Sequence, residues 1–180
     1  MLRQLIIGVG IILLLTPSSL AGTGEAKVGS PAPNFSLQDQ YDQEFDLSKY
    51  RDTVVLLIYG DREGSEFNGE WLKAVNERYN QPGHAQVKLV LIANLEGVPG
   101  FVHGFVKKRF QGTTPQGNPK RSVLLDWEGV VAQLYGFQQG LSNVYLIDRH
   151  GLLRYMAAGR GAPQDLEPLF QAIDRVLSTR

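Results

Sequence analysis

The chain has 180 residues, of which 43% are hydrophobic and 20% charged, a composition typical of one folded globular domain. Eighteen basic and eighteen acidic residues give a formal net charge of zero, which argues against nucleic acid as a partner, because phosphate backbones are bound by an excess of Lys and Arg. The sequence contains no cysteine, so its composition excludes disulfides, thiolate nucleophiles and cysteine metal sites.

The amino terminus has the pattern of a secretory signal peptide, predicted over residues 1–21. Arg3 supplies a positive charge, an almost wholly apolar run follows, and small residues stand where a signal peptidase cleaves after Ala21. The apolar run is shorter than the ~20 residues of a membrane span, and an uncleaved anchor is the alternative. We expect a periplasmic or otherwise secreted protein that contacts a membrane only if this segment is retained. A flexible stretch is predicted over residues 22–27 and a single domain over residues 28–180.

The predicted elements of that domain begin with a β-hairpin. Phe35 and Leu37 alternate with polar neighbours, and Phe45 and Leu47 do the same beyond a polar stretch. A short helical turn is predicted next, at residues 48–51.

A continuous apolar, β-branched run at residues 53–59 predicts a central parallel strand that is covered on both faces. After a loop at residues 60–64, apolar residues recur at helical spacing and predict a helix with Ser65 as its N-cap. The apolar stripe of this helix consists of Phe67, Trp71, Leu72, Val75 and Tyr79. Residues 81–83 end the helix, and residues 87–93 predict a second buried strand, so that the two strands are joined by a crossover.

The second half of the domain alternates short elements. Helices are predicted at residues 98–110 and 129–135, with a last amphipathic helix at the carboxyl end, and strands at residues 122–125, 144–147 and 152–157. A polar, Gly- and Pro-rich loop is predicted at residues 112–119. The aromatic residues of the first of these helices, at near-helical spacing, are predicted to belong to the core: Phe101, Phe105 and Phe110. The pattern predicts an α/β fold with a central mixed sheet, helices on both faces and an N-terminal hairpin.

Two stretches of the sequence resemble the redoxin branch of the thioredoxin superfamily, which includes the AhpC/TSA peroxiredoxins and the TlpA-like thiol reductases. The first carries Gly29, Pro31, Ala32, Pro33, Phe35, Leu37, Asp39, Leu47 and the strand residues 54–57. The second carries Tyr135, Gly136, Tyr145, Leu146, Ile147, Asp148 and Gly151. A weaker likeness, at residues 58–68, 98–100 and the Asp148 hairpin, is to the YtfJ-type exported proteins. The resemblance implies a thioredoxin-like (redoxin) fold.

The resemblance does not carry the family's thiol chemistry onto this chain. The two cysteines of a reductase would fall at Gly64 and Phe67, and the peroxidatic cysteine of a peroxiredoxin would also fall at Phe67 with its threonine at Gly64. The cis-proline of the reductases and the arginine of the peroxiredoxins both fall at Ser142. Because none of these three positions keeps the catalytic residue, we predict no catalytic residues and neither reductase nor peroxidase activity. At Phe67 we expect a core side chain.

The carboxyl ends of the central strands are the expected location of a binding site, because ligands of open α/β sheets collect there. The candidate binding residues at this edge are Asp61, Arg62, Glu63, Ser65, Glu66, Ser142 and Asn143. The start of the following helix is rich in N–H donors that could hold an anion. The alternative is a solvated loop in which neighbouring opposite charges pair with one another.

Other chemistry-bearing residues carry weaker signals. His84, His103 and His150 show no ligand spacing, so no metal and no cofactor are predicted. The basic residues at 107–109 and 120–121 could contact an acidic partner or lipid headgroups, although charge runs are more often solvated helix faces. The glycines flanking Arg160 are too few for a phosphate loop.

Two functions follow from these patterns. The first is a non-redox binding or assembly module in the cell envelope, with an envelope protein as its partner. The second is a ligand-binding protein or enzyme that uses the loop from Asp61 to Glu66 together with Ser142. A redoxin-family oxidoreductase is a third assignment that family likeness alone would give, and the absence of cysteine argues against it.

Overall fold

A computed structural model describes residues 26–81, 84–112 and 122–179. The predicted signal peptide, Pro82-Gly83 and nearly all of the predicted loop at residues 112–119 lie outside the described residues. Of the stretch predicted to be flexible, residues 22–25 lie outside the described residues, whereas Ala26 is buried and its N–H donates to the Leu134 carbonyl at 2.8 Å.

Nine strands and four α-helices make up the described part of the chain. The strands are β1 Ser36–Asp39, β2 Glu44–Asp46, β3 Val54–Gly60, β4 Asn80–Gln81, β5 His84–Ala85, β6 Val87–Asn94, β7 Val123–Asp126, β8 Ser142–Ile147 and β9 Leu153–Gly159. The helices are α1 Asn68–Tyr79, α2 His103–Gly112, α3 Val130–Tyr135 and α4 Pro163–Ser178. Short 3-10 helices lie at Leu47–Tyr50, Gly64–Phe67 and Gly100–Val102. The predicted hairpin, helical turn, strands and helices are thus all present, with ends displaced by a few residues.

Seven strands form one mixed sheet in the order β2-β1-β7-β6-β3-β8-β9, and β4 pairs with β5 in a separate short hairpin. β3 lies parallel to β6, with Val54 opposite Val87, and antiparallel to β8, with Val55 opposite Ile147. β6 and β7 are also parallel, whereas β1, β2 and β9 join antiparallel to their neighbours. The predicted mixed sheet with an N-terminal hairpin is confirmed.

The central strand β3 separates two hydrophobic cores, because alternate side chains of a strand point to opposite faces. Val55, Leu57 and Tyr59 pack on the face that α3 covers, and Val54, Leu56 and Ile58 pack on the face of α1 and α4. All seven residues of β3 are buried, as expected for a strand covered on both faces. Helices on both faces of the sheet are therefore also confirmed.

Helix α1 does not begin as the sequence predicts. Ser65 is not its N-cap; it lies in the 3-10 helix Gly64–Phe67, and Phe67 occupies the capping position without a side-chain hydrogen bond. The cap of that 3-10 segment comes instead from Asp61, whose Oδ1 accepts the Gly64 N–H at 2.7 Å. A carboxylate accepts such bonds more strongly than a serine hydroxyl, which is why the acidic residue takes this role.

The largest departure from prediction concerns α2, which the sequence assigns to the core. None of its residues is buried; Phe101, just before the helix, is 90% exposed and Phe105 is 71% exposed. The helix is held through loop residues, with His103 stacked on Trp127 and Lys107 paired with Asp42, and its apolar side chains stay partly or largely exposed. Among the described residues no helix is both long and apolar enough to cross a membrane.

Candidate functional site

Asp61 holds together the two segments that meet at the carboxyl edge of β3. Its Oδ1 accepts the Gly64 N–H at 2.7 Å, and its Oδ2 accepts the Gly140 N–H at 2.9 Å. The register of β3 and β8 places Tyr59 opposite Asn143, so the loop after β3 lies beside the start of β8. Asp61 thus acts as a structural clamp, with both carboxylate oxygens already bonded to the protein backbone.

Gly64 stands where the resemblance places the first cysteine of a reductase, and the structure leaves no room for a side chain there. A Cβ built on Gly64 would lie 2.1 Å from the Leu141 carbonyl oxygen and 2.5 Å from the Leu141 carbonyl carbon. Both atoms belong to the backbone and cannot turn aside like a side chain. The position therefore lacks the cysteine and is also closed sterically by the backbone of the chain.

Phe67 stands where the second reductase cysteine or the peroxidatic cysteine would fall. It is half-buried and belongs to neither hydrophobic core, whereas Trp71 and Leu72 of the same stripe are buried. The Arg160 guanidinium lies over its ring, 5.2 Å from the centroid. The expectation of a core side chain at Phe67 is therefore wrong: the residue ends the 3-10 helix that precedes α1 and is only half-buried there.

Ser142 and Asn143 lie beside this loop, as the sequence predicts, but they are buried and bonded within the protein. The Ser142 Oγ donates to the Asn68 Oδ1 at 2.6 Å. The Asn143 side chain accepts from the Gln138 N–H at 2.9 Å and donates to the carbonyl oxygens of Gln138 and Leu141. With 0% and 3% exposure, these two residues position the edge and cannot themselves reach a ligand.

The remaining predicted residues form an exposed rim. Arg62, Glu63, Ser65 and Glu66 are exposed, and the Ser65 Oγ donates to the Arg62 carbonyl at 3.0 Å. The alternative interpretation expects these charges to pair with one another, and within the described ranges Arg62, Glu63 and Glu66 make no ion pair at all. Charged side chains without partners at this edge are free to meet a binding partner.

A large groove, which the sequence analysis missed, opens next to this rim. Its volume is about 1010 Å³, and it lies between the loop after β3, the loop after β6 and helix α2. The apolar part of its wall comes from Leu95, Val98, Phe105, Phe110 and Phe137, and its charged part includes Arg62, Glu96 and Arg109. The aromatic and basic residues interleaved at 105–110 are the sequence signal that could have predicted this wall, because they leave no polar face opposite an apolar one.

Phe137, which lines the groove, is packed against Tyr59, and Tyr59 is in turn bonded to Asp126. The Phe137 ring meets the Tyr59 ring edge-on at a centroid distance of 5.3 Å. The Tyr59 hydroxyl donates to the Asp126 Oδ2 at 3.3 Å, and Asp126 also accepts the Val130 and Val131 N–H groups at the start of α3. Burial, followed by the nearby Asp126 carboxylate, raises the pKa of Tyr59 far above its ordinary value, so the phenol stays neutral as a donor.

The outer wall of the groove is fixed at the beginning of α2. The His103 ring stacks on the Trp127 ring at 3.8 Å, and the His103 Nε2 bonds to the Val98 carbonyl at 2.9 Å. In the middle of the helix, Lys107 pairs with Asp42 of the hairpin turn. The helix is thereby held in place with Phe105 facing the groove, although its aromatic side chains remain open to solvent. Of the predicted basic cluster, Lys120 and Arg121 lie outside the described residues.

Metal binding has no geometric support in the part of the chain that is described. No group of three or more His, Asp or Glu side chains there could hold an ion. His103 is engaged with Trp127, and His150 lies in the turn between β8 and β9, far from it along the sheet.

One family model matches most of the chain. Residues 28–156 match the model of the AhpC/TSA family. Among curated proteins, the chain is 26% identical over 145 residues to the chloroplastic peroxiredoxin Q of Oryza sativa subsp. japonica; the match covers 78% of this chain and 63% of the rice protein. The chain therefore spans somewhat under two thirds of the length of that relative.

Solved structures of low sequence identity share the fold. A Chlorobium tepidum protein described as a candidate thiol:disulfide interchange protein, DsbE, has a TM-score of 0.61 at 24% identity, over 86% of this chain and all of that one (100%). The exposed lipoprotein thioredoxin Etrx1 of Streptococcus pneumoniae has a TM-score of 0.57 at 20% identity, over 79% of this chain and 98% of that one. The thioredoxin-like fold predicted from the sequence is confirmed. With a matching family model over most of its length and no cysteine in its sequence, the chain belongs to the AhpC/TSA family as a member without the thiol chemistry.

Proposed function

We propose that this protein is an exported, non-redox binding module that holds an apolar, acidic segment of an envelope protein in the groove between α2 and the carboxyl edge of the sheet. One observation carries the proposal: Gly64, a position of the family's thiol chemistry, is closed to any side chain, while a groove of about 1010 Å³ stands open beside the same loop. The scaffold is retained without its reaction, as folds commonly are when their sites change role.

The apolar surface is larger than a small ligand needs. Phe105 in the groove wall and Phe101 beyond it are four residues apart, and they are 71% and 90% exposed. Exposed aromatic side chains of this size are costly in water, and in soluble proteins such patches mark surfaces that other molecules cover. Because exposed aromatic surface continues from the groove to the 3-10 turn before α2, a polypeptide segment fits it better than a compact small molecule.

The charges of the groove favour an acidic partner. Arg62 and Arg109 line it without an ion-pair partner among the described residues, and the carboxylate of Asp61 is already bonded to two backbone N–H groups. Glu96 is the acidic side chain left in the lining. Both guanidinium groups keep donors for carboxylates on the partner, whereas one of the two carboxylates in the lining, Asp61, has both oxygens already bonded, so the groove favours acidic over basic segments.

Export is part of the proposal and rests on residues 1–21. Their charged start, apolar run and small residues before the cleavage position are typical of a signal peptide. A fitting parallel is the name of Etrx1, which describes an exposed lipoprotein. Mass spectrometry of the protein from the envelope fraction tests this: we expect a chain that begins at Gly22, and an intact amino terminus would identify the alternative, a membrane anchor.

Site-specific photo-crosslinking tests the groove. A photoreactive phenylalanine analogue placed at Phe105 in the cell should give one discrete adduct with an envelope protein. The same analogue at Met156, which is also exposed (37%) but lies on β9 away from the groove, is the matched control and should give none. Equal adducts at both positions, or none at Phe105, would refute the groove as the binding surface.

Two further variants separate the proposal from its alternative. Phe105→Ser and Arg109→Gln should each reduce the yield of the adduct formed through Phe101, while the variant Met156→Ser should not. The alternative is a ligand-binding protein that uses the loop after β3. It would be supported by a small molecule that stays bound through purification, if Arg62→Gln reduces its retention and Phe105→Ser does not.

A further inference from the structure

A second cavity lies at the other end of the sheet from the groove. β8 runs antiparallel to β3, so the turn after β8 is at the amino end of β3, whereas the groove is at its carboxyl end. The cavity has a volume of about 360 Å³ and lies between this turn and the last turns of α4. Its lining includes the charged residues Asp148, Arg149, Arg154 and Arg175, together with His150. Three arginines and one histidine thus share the lining with a single carboxylate.

Asp148 offsets only one of these positive charges, and both its carboxylate oxygens are already bonded, within the turn and to Arg154. The Oδ1 accepts the N–H groups of His150 and Leu152 at 2.8 and 2.9 Å, and the Oδ2 accepts the Arg154 Nε at 2.6 Å. Burial alone would raise the pKa of Asp148, but these hydrogen bonds outweigh it and lower the pKa below its ordinary value. Asp148 therefore stays ionised and holds the Arg154 guanidinium through its Nε.

The other two arginines keep their donors. Within the described ranges neither Arg149 nor Arg175 pairs with a carboxylate. A further cation stands beside the turn, since the Arg51 guanidinium donates to the His150 carbonyl. Asp52, the exposed acid nearest to it in sequence, does not line the cavity. The positive charge of the cavity is thus in excess after its own acid is counted.

The carboxyl end of α4 opposes the binding of an anion in the cavity, but its electrostatic effect is small compared with that of the arginines. The carboxyl end of α4 carries roughly half a negative charge from the aligned peptide dipoles. Hydroxyl groups of Ser178 and Thr179 donate to the Arg175 carbonyl at 2.9 Å each and so screen one of the terminal carbonyl oxygens. Three guanidinium groups outweigh this end of the helix.

We propose that the cavity formed by Arg149, Arg154 and Arg175 between the β8–β9 turn and α4 is a binding site for a phosphoryl group, either free phosphate or the phosphate of a lipid headgroup. Guanidinium groups bind phosphate with two parallel N–H···O bonds, and Asp148 holds one of them in position for that geometry. Three arginines around one cavity suit a doubly charged, tetrahedral anion better than a single carboxylate, which two donors satisfy.

The binding test is an NMR titration of the full chain with inorganic phosphate at constant ionic strength, with acetate as the comparison anion. We expect saturable shifts of the amides at residues 148–151 and of the Arg154 and Arg175 Nε–H groups, and no saturation with acetate. Arg175→Gln should weaken phosphate binding by about tenfold, the effect of one charge-assisted hydrogen bond. Arg175 is the variant of choice because its side chain supports no other contact among the described residues.

The matched control is Arg78→Gln. Arg78 lies in α1 and pairs with Asp174, the neighbour of Arg175 in α4, but it does not line the cavity. The proposal is overturned if phosphate gives no saturable shift, or if Arg78→Gln weakens binding as much as Arg175→Gln, which would mean only general attraction to a charged surface.

Vesicles distinguish the two sources of the phosphoryl group. If the protein sediments with phosphatidic acid vesicles but not with phosphatidylcholine vesicles, and Arg175→Gln abolishes this, the site is supported with a lipid phosphate as its ligand. Phosphate binding without vesicle binding would support it with a free anion. The groove variant Phe105→Ser should leave both measurements unchanged, so failure here is separate from failure of the proposed function.

Discussion

The variant Gly64→Ala tests most directly whether position 64 is sterically closed to a side chain. The added methyl group would lie 2.1 Å from the Leu141 carbonyl oxygen and 3.0 Å from the Leu141 nitrogen. Ordinary contacts begin near 3.4 Å, so the loop after β3 and the segment before β8 would have to separate by more than 1 Å. The hydrogen bonds from Gly140 to Asp61 and from Ser142 to Asn68 join the same two segments and would lengthen.

The expected loss of stability follows from these terms. Overpacking costs about 1–3 kcal/mol and each weakened hydrogen bond about 0.5–1.5 kcal/mol, while the stiffer unfolded chain returns about 0.4–1 kcal/mol. We therefore expect Gly64→Ala to lower the free energy of unfolding by roughly 2–4 kcal/mol. Urea unfolding followed by far-UV circular dichroism measures this, provided that the slope of the transition stays unchanged.

The matched control is Gly69→Ala, five residues further along. A Cβ at Gly69 meets nothing within 4 Å, and the residue lies in α1, where alanine is the better helix former. This variant should be as stable as the wild type or more stable by up to about 1 kcal/mol. If Gly64→Ala unfolds within 0.5 kcal/mol of the wild type, about the range of harmless surface changes, the steric closure inferred at Gly64 is refuted.

Three further predictions address chemistry, packing and pH. The purified protein should neither reduce insulin disulfides nor consume peroxide with a thiol donor, because both reactions need a sulfur nucleophile; turnover above a protein-free control would contradict this. Phe67→Ala should lower the free energy of unfolding by about 1–2 kcal/mol, rather than by the about 3–5 kcal/mol expected for a buried aromatic. A double-mutant cycle with Arg160→Gln should give a coupling energy of about 0.5 kcal/mol. A loss of stability above about 3 kcal/mol would instead show that Phe67 belongs to the core. Although burial opposes it, hydrogen bonding keeps the pKa of Asp148 below its unfolded value, so its contribution is present above about pH 4 and is lost as the pH falls through the folded pKa. Asp148→Asn should thus cost about 2 kcal/mol at pH 7 and progressively less in acid; a deficit that did not depend on pH would refute the assignment.

The fold was predictable because its signals are local and repeated. The apolar run that becomes β3 is long enough to need cover on both faces, and the two stripes of α1 and α4 supply that cover on one of them. The hairpin of β1 and β2 follows from alternation, with Leu37 opposite Phe45 as the pattern requires. Each of these elements is encoded by a period that a few residues are enough to fix.

The candidate site was only partly predictable. The loop after β3 and the start of β8 could be placed together because the order of strands fixes where their ends meet. That Ser142 and Asn143 are buried, and that Asp61 is used as a clamp, could not be read from polar residue types, since the same side chains serve ligands and backbone equally well.

The sequence by itself determined the absence of thiol chemistry, since no arrangement of a chain without cysteine supplies a sulfur nucleophile. Only the tertiary structure decided what replaced it. An aromatic stripe on a helix has the same pattern whether it faces a core or the solvent, and only the packing of α2 in the folded chain leaves Phe101 and Phe105 exposed. In the same way, arginines far apart in sequence became one cavity only because the β8–β9 turn packs against the end of α4. Such long-range contacts depend on where whole elements come to lie, which no local pattern of residues encodes.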